Sequence, residues 1–141
     1  MGNYLIEELW VEDGRAPYRT YDLENRLISF SASIIRFSSE FPQEYALIHL
    51  AKQLIRSSTS AALNYGELQA AESRKDFIHK MKLSLKELRE SLINLKILIE
   101  IEHTRIDRQK LMDVHNECNQ LVSIFVASLK TISSKSAPQH S

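Results

Sequence analysis

Residues 73–102 read SRKDFIHKMKLSLKELRESLINLKILIEIE, thirty residues without a glycine or a proline. Phe77, Met81, Leu85, Leu88, Leu92, Leu95 and Ile99 recur in it at steps of four and three. That spacing lines up one face of an α-helix. Ser73 and Asp76 have the spacing of a capping box, with aspartate in place of the usual Glu or Gln. A helix over this stretch would be roughly 45 Å long at 1.5 Å per residue. One apolar stripe of that length needs partners of the same kind.

The flanking sequence supplies three. After it, a helix starting near Asp107 places Leu111, Val114, Cys118, Leu121, Phe125, Leu129 and Ile132 on one face. Before it, a helix from about Gln43 to Tyr65 carries Leu47, Ala51, Leu54, Ser58, Ala61 and Tyr65, with Asn64 and Gly66 as stop signals. Its run of small residues from Ser57 to Ala62 permits a close approach of another helix. Earlier still, Asp22 is a fitting N-cap for Leu23, Leu27, Phe30, Ile34, Phe37 and Phe41, and Pro42 ends the run. Four such stripes are buried together in an all-α, up-down-up-down four-helix bundle.

The chain has 141 residues, enough for one domain that buries its own core without staples. Three glycines and three prolines are too few for the turns of an all-β fold. The division expected is an N-terminal arm over 1–20, the bundle over 21–135 and a disordered polar tail over 136–141. The arm holds Leu5, Ile6, Leu9, Trp10 and Val11, apolar residues suited to docking on the bundle or on a neighbouring subunit. The single cysteine, Cys118, excludes an intrachain disulfide and has no Cys/His cluster around it. Met1 to Trp10 has no basic flank, and no apolar run approaches the roughly 20 residues of a membrane span, so a cytoplasmic location without membrane contact is expected.

The formal net charge is zero, but the charges are segregated. Residues 1–14 hold Glu7, Glu8, Glu12 and Asp13 and no base, a net of −4. Residues 73–89 hold six bases against Asp76 and Glu87, a net of +4. Lys75, Lys82, Lys86 and Arg89 fall within about 60° of one another on the third helix, with Arg74 at its start. These five are the candidate phosphate contacts; the ordinary alternative is a solvated helix face. A second feature is a surplus of apolar residues, Leu83, Ile93, Ile97 and Ile101, away from the main stripe. These are candidates for a subunit interface. Glu100-x-x-His103 has the spacing of a di-iron ligand pair, but no second helix repeats it, so neither a metal nor another cofactor is expected. No nucleophile elbow or phosphate-cradling glycine loop occurs. An ion pair between Glu67 and Arg56 is a further expectation.

Arg56 to Ser60, Asn64-Tyr65-Gly66-Glu67, Ala71 to Lys82 and Leu85 to Glu90 form a distinctive combined pattern. It resembles the small bacterial four-helix-bundle family first met as proteins encoded in intervening sequences of 23S ribosomal RNA genes. The resemblance spans roughly residues 22–133, with Arg56, Asn64, Gly66, Glu67, Ser73, Asp76 and Phe77 as its motif positions. It implies a homopentamer, in a family most of which has no established biochemical activity; with no catalytic constellation in the residues, a non-enzymatic protein is expected. The family is similar to the accessory variability protein of diversity-generating retroelements, a basic pentamer that works with a reverse transcriptase and nucleic acid. The implied function is therefore an accessory protein for RNA, DNA or a nucleic-acid enzyme. The alternative is a structural or protein-interaction module that binds no nucleic acid.

Overall fold

The computed structural model describes residues 20–135, with side chains described over 22–132. The expected arm, but for Thr20, and the expected tail lie outside the described residues. Four long helices form: α1 (Thr20–Ser39), α2 (Tyr45–Gly66), α3 (Arg74–Ile101) and α4 (Arg108–Lys135). A 3-10 turn, Glu67–Ala70, joins α2 to α3.

Each helix packs on the next, and α1 also packs on α4, which closes the ring into a four-helix bundle. Cross-helix contacts give the directions. Ser57 meets Ser91 while Ser84 reaches back to Ala61, so α2 and α3 are antiparallel. Cys118 meets Leu88 while Arg74 meets Ile132, so α3 and α4 are antiparallel too.

The core follows the sequence stripes. Leu23, Leu27, Phe30, Ile34 and Phe37 of α1 are buried, as are all seven apolar positions named on α4. On α3, Leu98 takes the last core position and Ile99 is only half-buried. The two are equally apolar neighbours in sequence, so packing rather than periodicity chooses between them. Tyr65 meets Phe125 edge-on across the core at 5.7 Å.

The α2–α3 seam is built from small polar residues. Ser57, Ser84 and Ser91 are fully buried. Their hydroxyls are satisfied locally: Ser57 and Ser91 share a 2.6 Å hydrogen bond, and Ser84 donates to the Ala61 carbonyl at 3.0 Å. A buried hydroxyl without a partner costs about 1–3 kcal/mol, so these bonds allow serine to serve as a spacer where a larger side chain would force the helices apart.

The helix ends are capped in ways the sequence partly signals. The Ser73 hydroxyl accepts from the Asp76 N–H at 3.0 Å. The Asp76 carboxylate accepts from the Glu72 N–H, one residue earlier than a full capping box would place it. Asp107 caps α4 through the Lys110 N–H at 3.0 Å. α2 ends at Gly66, where the sequence signals a stop, but Gly66 is right-handed at φ −60° and the chain passes directly into the 3-10 turn. The left-handed cap belongs instead to Glu102, with φ 53° and ψ 43°, at the end of α3.

The expected Glu67–Arg56 pair does not form. Arg56 is held by Glu87 at 3.1 Å and by Glu90, one turn apart on α3. Glu67 lies 3.9 Å from Lys80. Arg56 sits more than two turns before the end of α2, and antiparallel packing presents it to the middle of α3.

Three outcomes are expected. Glu102→Gly removes the left-handed strain and raises stability by about 1 kcal/mol, read from the denaturant midpoint. Ser84→Leu overfills the seam and costs about 1–3 kcal/mol by the same assay. Burial pushes the Cys118 thiol up to about 12. Its neutral form is therefore favoured in the fold, and that contribution is intact below pH about 9 and lost as pH rises toward 12. The natural chain should lose stability relative to Cys118→Val through that window, by about 1.4 kcal/mol per pH unit.

Candidate functional site: the outward face of the third helix

With its core face inward and one flank against α2, α3 leaves a sector turned outward. Lys75, His79, Lys82, Lys86, Arg89, Ile93 and Ile97 follow one another along it at steps of three and four, and all are exposed. The row is about 33 Å long at helical rise. Two hollows lie along it. The larger, about 840 Å³, is lined by Lys82, Lys86, Arg89, Ile93 and Ile97, with Arg56 of α2 on one side and Leu129 of α4 on the other. The smaller, about 440 Å³, is lined by Arg74, Lys75, Ile78, His79 and Lys82. Lys82 lines both.

Most of the candidate phosphate contacts are electrostatically free. Among the described residues, no carboxylate lies within salt-bridge distance of Lys75, Lys82, Lys86 or Arg89. The nearby acids are engaged elsewhere. Glu87 and Glu90 hold Arg56, whose guanidinium they push further up in pKa, the Glu90 hydrogen bond contributing most. Asp76 takes Lys80 at 3.5 Å. Arg74 is placed differently from the other four: it is half-buried, and its Nη2 donates to the Ile132 carbonyl at 3.4 Å near the end of α4.

The apolar candidates divide. Ile93 and Ile97, 56% and 43% exposed, continue the basic row and line its groove. Leu83 and Ile101 do not line it. They lie on a line about 80° round the helix, Leu83 half-buried and Ile101 exposed. Sequence reasoning treated the cations and the isoleucines as separate features. The signal that unites them was present: Lys82, Lys86, Arg89, Ile93 and Ile97 already stand at helical intervals.

The family-motif positions do different work. Phe77 is fully buried, Ser73 and Asp76 cap α3, and Arg56 ties α2 to α3. Glu67 approaches Lys80, and Asn64 is half-buried in the last turn of α2. A β-carbon added to Gly66 would meet Glu24 Oε1 at an ordinary 3.5 Å. These residues fix the junction of α2 and α3 and do not converge on a reacting centre. Among the described residues, no three His, Cys, Asp or Glu side chains are grouped to hold a metal. His103 Nε2 is 2.9 Å from Glu44 Oε2, and Arg105 holds the other oxygen at 3.0 Å, so the α3–α4 loop is clasped to the start of α2. The His103 contact is the main reason that the Glu44 carboxyl is held below the usual carboxylate range. Cys118, fully buried and neutral, is inert as a nucleophile.

No helix among the described residues is long and apolar enough to cross a membrane. No curated protein matches the chain. A crystal structure of a protein of unknown function from the S23 ribosomal protein family of Bacteroides thetaiotaomicron VPI-5482 is similar at 27% identity and a TM-score of 0.70. The similarity covers 80% of this chain and 99% of that one. The family model of the 23S rRNA-intervening sequence proteins matches residues 19–127, most of the bundle, and the chain therefore belongs to that family.

Proposed function

We propose that this protein is a non-enzymatic homo-oligomer whose α3 groove contacts the phosphate backbone of a nucleic acid. One observation carries the reading. Lys75, Lys82, Lys86 and Arg89 form a row of exposed cations with no carboxylate in reach among the described residues, on a chain whose net charge is zero. A neutral protein has no general attraction for polyanions, so affinity must come from such a local row. The family name refers to 23S rRNA, which makes RNA the first nucleic acid to test.

Assembly strengthens the argument. The resemblance to the pentameric family implies five subunits, and five rows around one ring would act together. Apolar residues outside the groove support self-association. Leu63 is 70% exposed, and the register that pairs Ser84 with Ala61 sets it level with Leu83; Ile101 is exposed further along α3. The second reading, a protein-interaction module, draws on Ile93 and Ile97, because apolar residues among cations also suit a partner helix.

A structured RNA should add mass to the oligomer in light scattering at low salt, and affinity should fall linearly with log salt. Lys82→Glu with Lys86→Glu should abolish the gain, and each single Lys→Ala change should reduce the salt slope by about 1. Salt-insensitive binding to a protein, with no RNA uptake, would replace this reading with the second. A monomer would remove the assembly.

A further inference from the structure

We propose that the α3 groove is occupied by residues 5–13 of the same chain, Leu-Ile-Glu-Glu-Leu-Trp-Val-Glu-Asp, and that nucleic acid must displace them. The first part concerns the folded protein alone; the displacement rests on the function proposed above.

The groove and the segment are complementary in both charge and polarity. The groove offers four free cations, Lys75, Lys82, Lys86 and Arg89, followed by Ile93 and Ile97, an apolar end that is left exposed. The segment offers four acids, Glu7, Glu8, Glu12 and Asp13, with no base, interleaved with Leu5, Ile6, Leu9, Trp10 and Val11. Glu90 also lines the groove, but it is paired with Arg56, as is Glu87.

The reach also fits. α1 and α3 are both antiparallel to α2, so Thr20 and Arg74 begin their helices at the same end of the bundle. Residues 14–19 and the bonds at either end span up to about 23 Å when extended. Neighbouring helix axes in a bundle stand about 8–10 Å apart, so the diagonal from α1 to α3 is about 11–14 Å, and this length crosses the bundle end from α1 to the outer side of α3. From Asp13 to Leu5 an extended chain covers about 26 Å. From Lys75 to Ile93 the helix rises about 27 Å. Asp13 and Glu12 then fall near Lys75 and Lys82, Glu8 and Glu7 near Lys86 and Arg89, and Leu5 and Ile6 near Ile93. Apolar end meets apolar end in the one direction that the connection allows.

Trp10 is the chain's single tryptophan, so its fluorescence in the full-length protein reports the segment directly. The expected emission is blue-shifted and shielded from acrylamide. Lys82→Glu with Lys86→Glu, and separately Ile93→Glu, should shift it red and raise quenching several-fold without changing the melting temperature. Leu63→Glu, exposed on α2, should leave it unchanged. Water-like emission in the natural chain, or emission indifferent to the groove variants, would overturn the docking. A red shift on dilution that tracks loss of oligomer mass would also overturn it, by placing the segment on a neighbouring copy. Structured RNA should release Trp10 in proportion to bound mass. RNA bound with Trp10 still shielded would overturn the displacement. Shielded Trp10 with no RNA bound at any salt would keep the docking and refute the nucleic-acid function instead.

Discussion

The seam where α2 and α3 meet through Ser57, Ser84, Ser91 and Ala61 sets the geometry of everything else. Small side chains bring the two helices together, and hydroxyls bonded to neighbouring hydroxyls and carbonyls keep the contact from carrying unsatisfied polar groups. This contact fixes the rotation of α3 about its own axis. Once Ser84 and Ser91 face α2, Leu88 and Leu95 face the core, and the sector bearing Lys82, Lys86 and Arg89 has nowhere to go but outward.

The same rotation sorts the charges. Glu87 and Glu90 flank the seam and meet Arg56, so these two acids are paired across to α2 and not with the outward lysines. These ion pairs are exposed, and such pairs contribute about 0–1 kcal/mol each. Burying one leucine contributes about 1.5–3 kcal/mol. The core therefore decides the fold, and the surface pairs decide which cations remain available. The result is a site defined by what its described residues do not touch, carried on one helix. A site for phosphate backbone needs little more than that, because the helix spaces the cations in a row.

The bundle was legible because its signal is periodic and redundant. Seven apolar positions on α4 and five on α1 survive as buried residues, since any other face would expose them. The Ser73 cap was legible for the same kind of reason, a short-range bond between residues three apart. Gly66 marked the end of α2 correctly, but without the left-handed conformation that glycine permits and does not require. At Glu102 the chain takes that conformation with a residue that gives no sign of it. The Glu67–Arg56 pair failed because partners across a bundle depend on helix register, which sequence distance does not report.

The candidate site divides along the same line. The sequence by itself determined that Lys75, Lys82, Lys86 and Arg89 share one face of one helix, because helical spacing is a local property, and that an acidic segment precedes the bundle, because composition is. Only the tertiary structure decided that those cations meet no carboxylate among the described residues, that Ile93 and Ile97 line the same groove, and that Leu83 and Ile101 belong to another side. Each of those facts depends on which neighbour a helix turns toward, and that is settled by packing between segments distant in the chain.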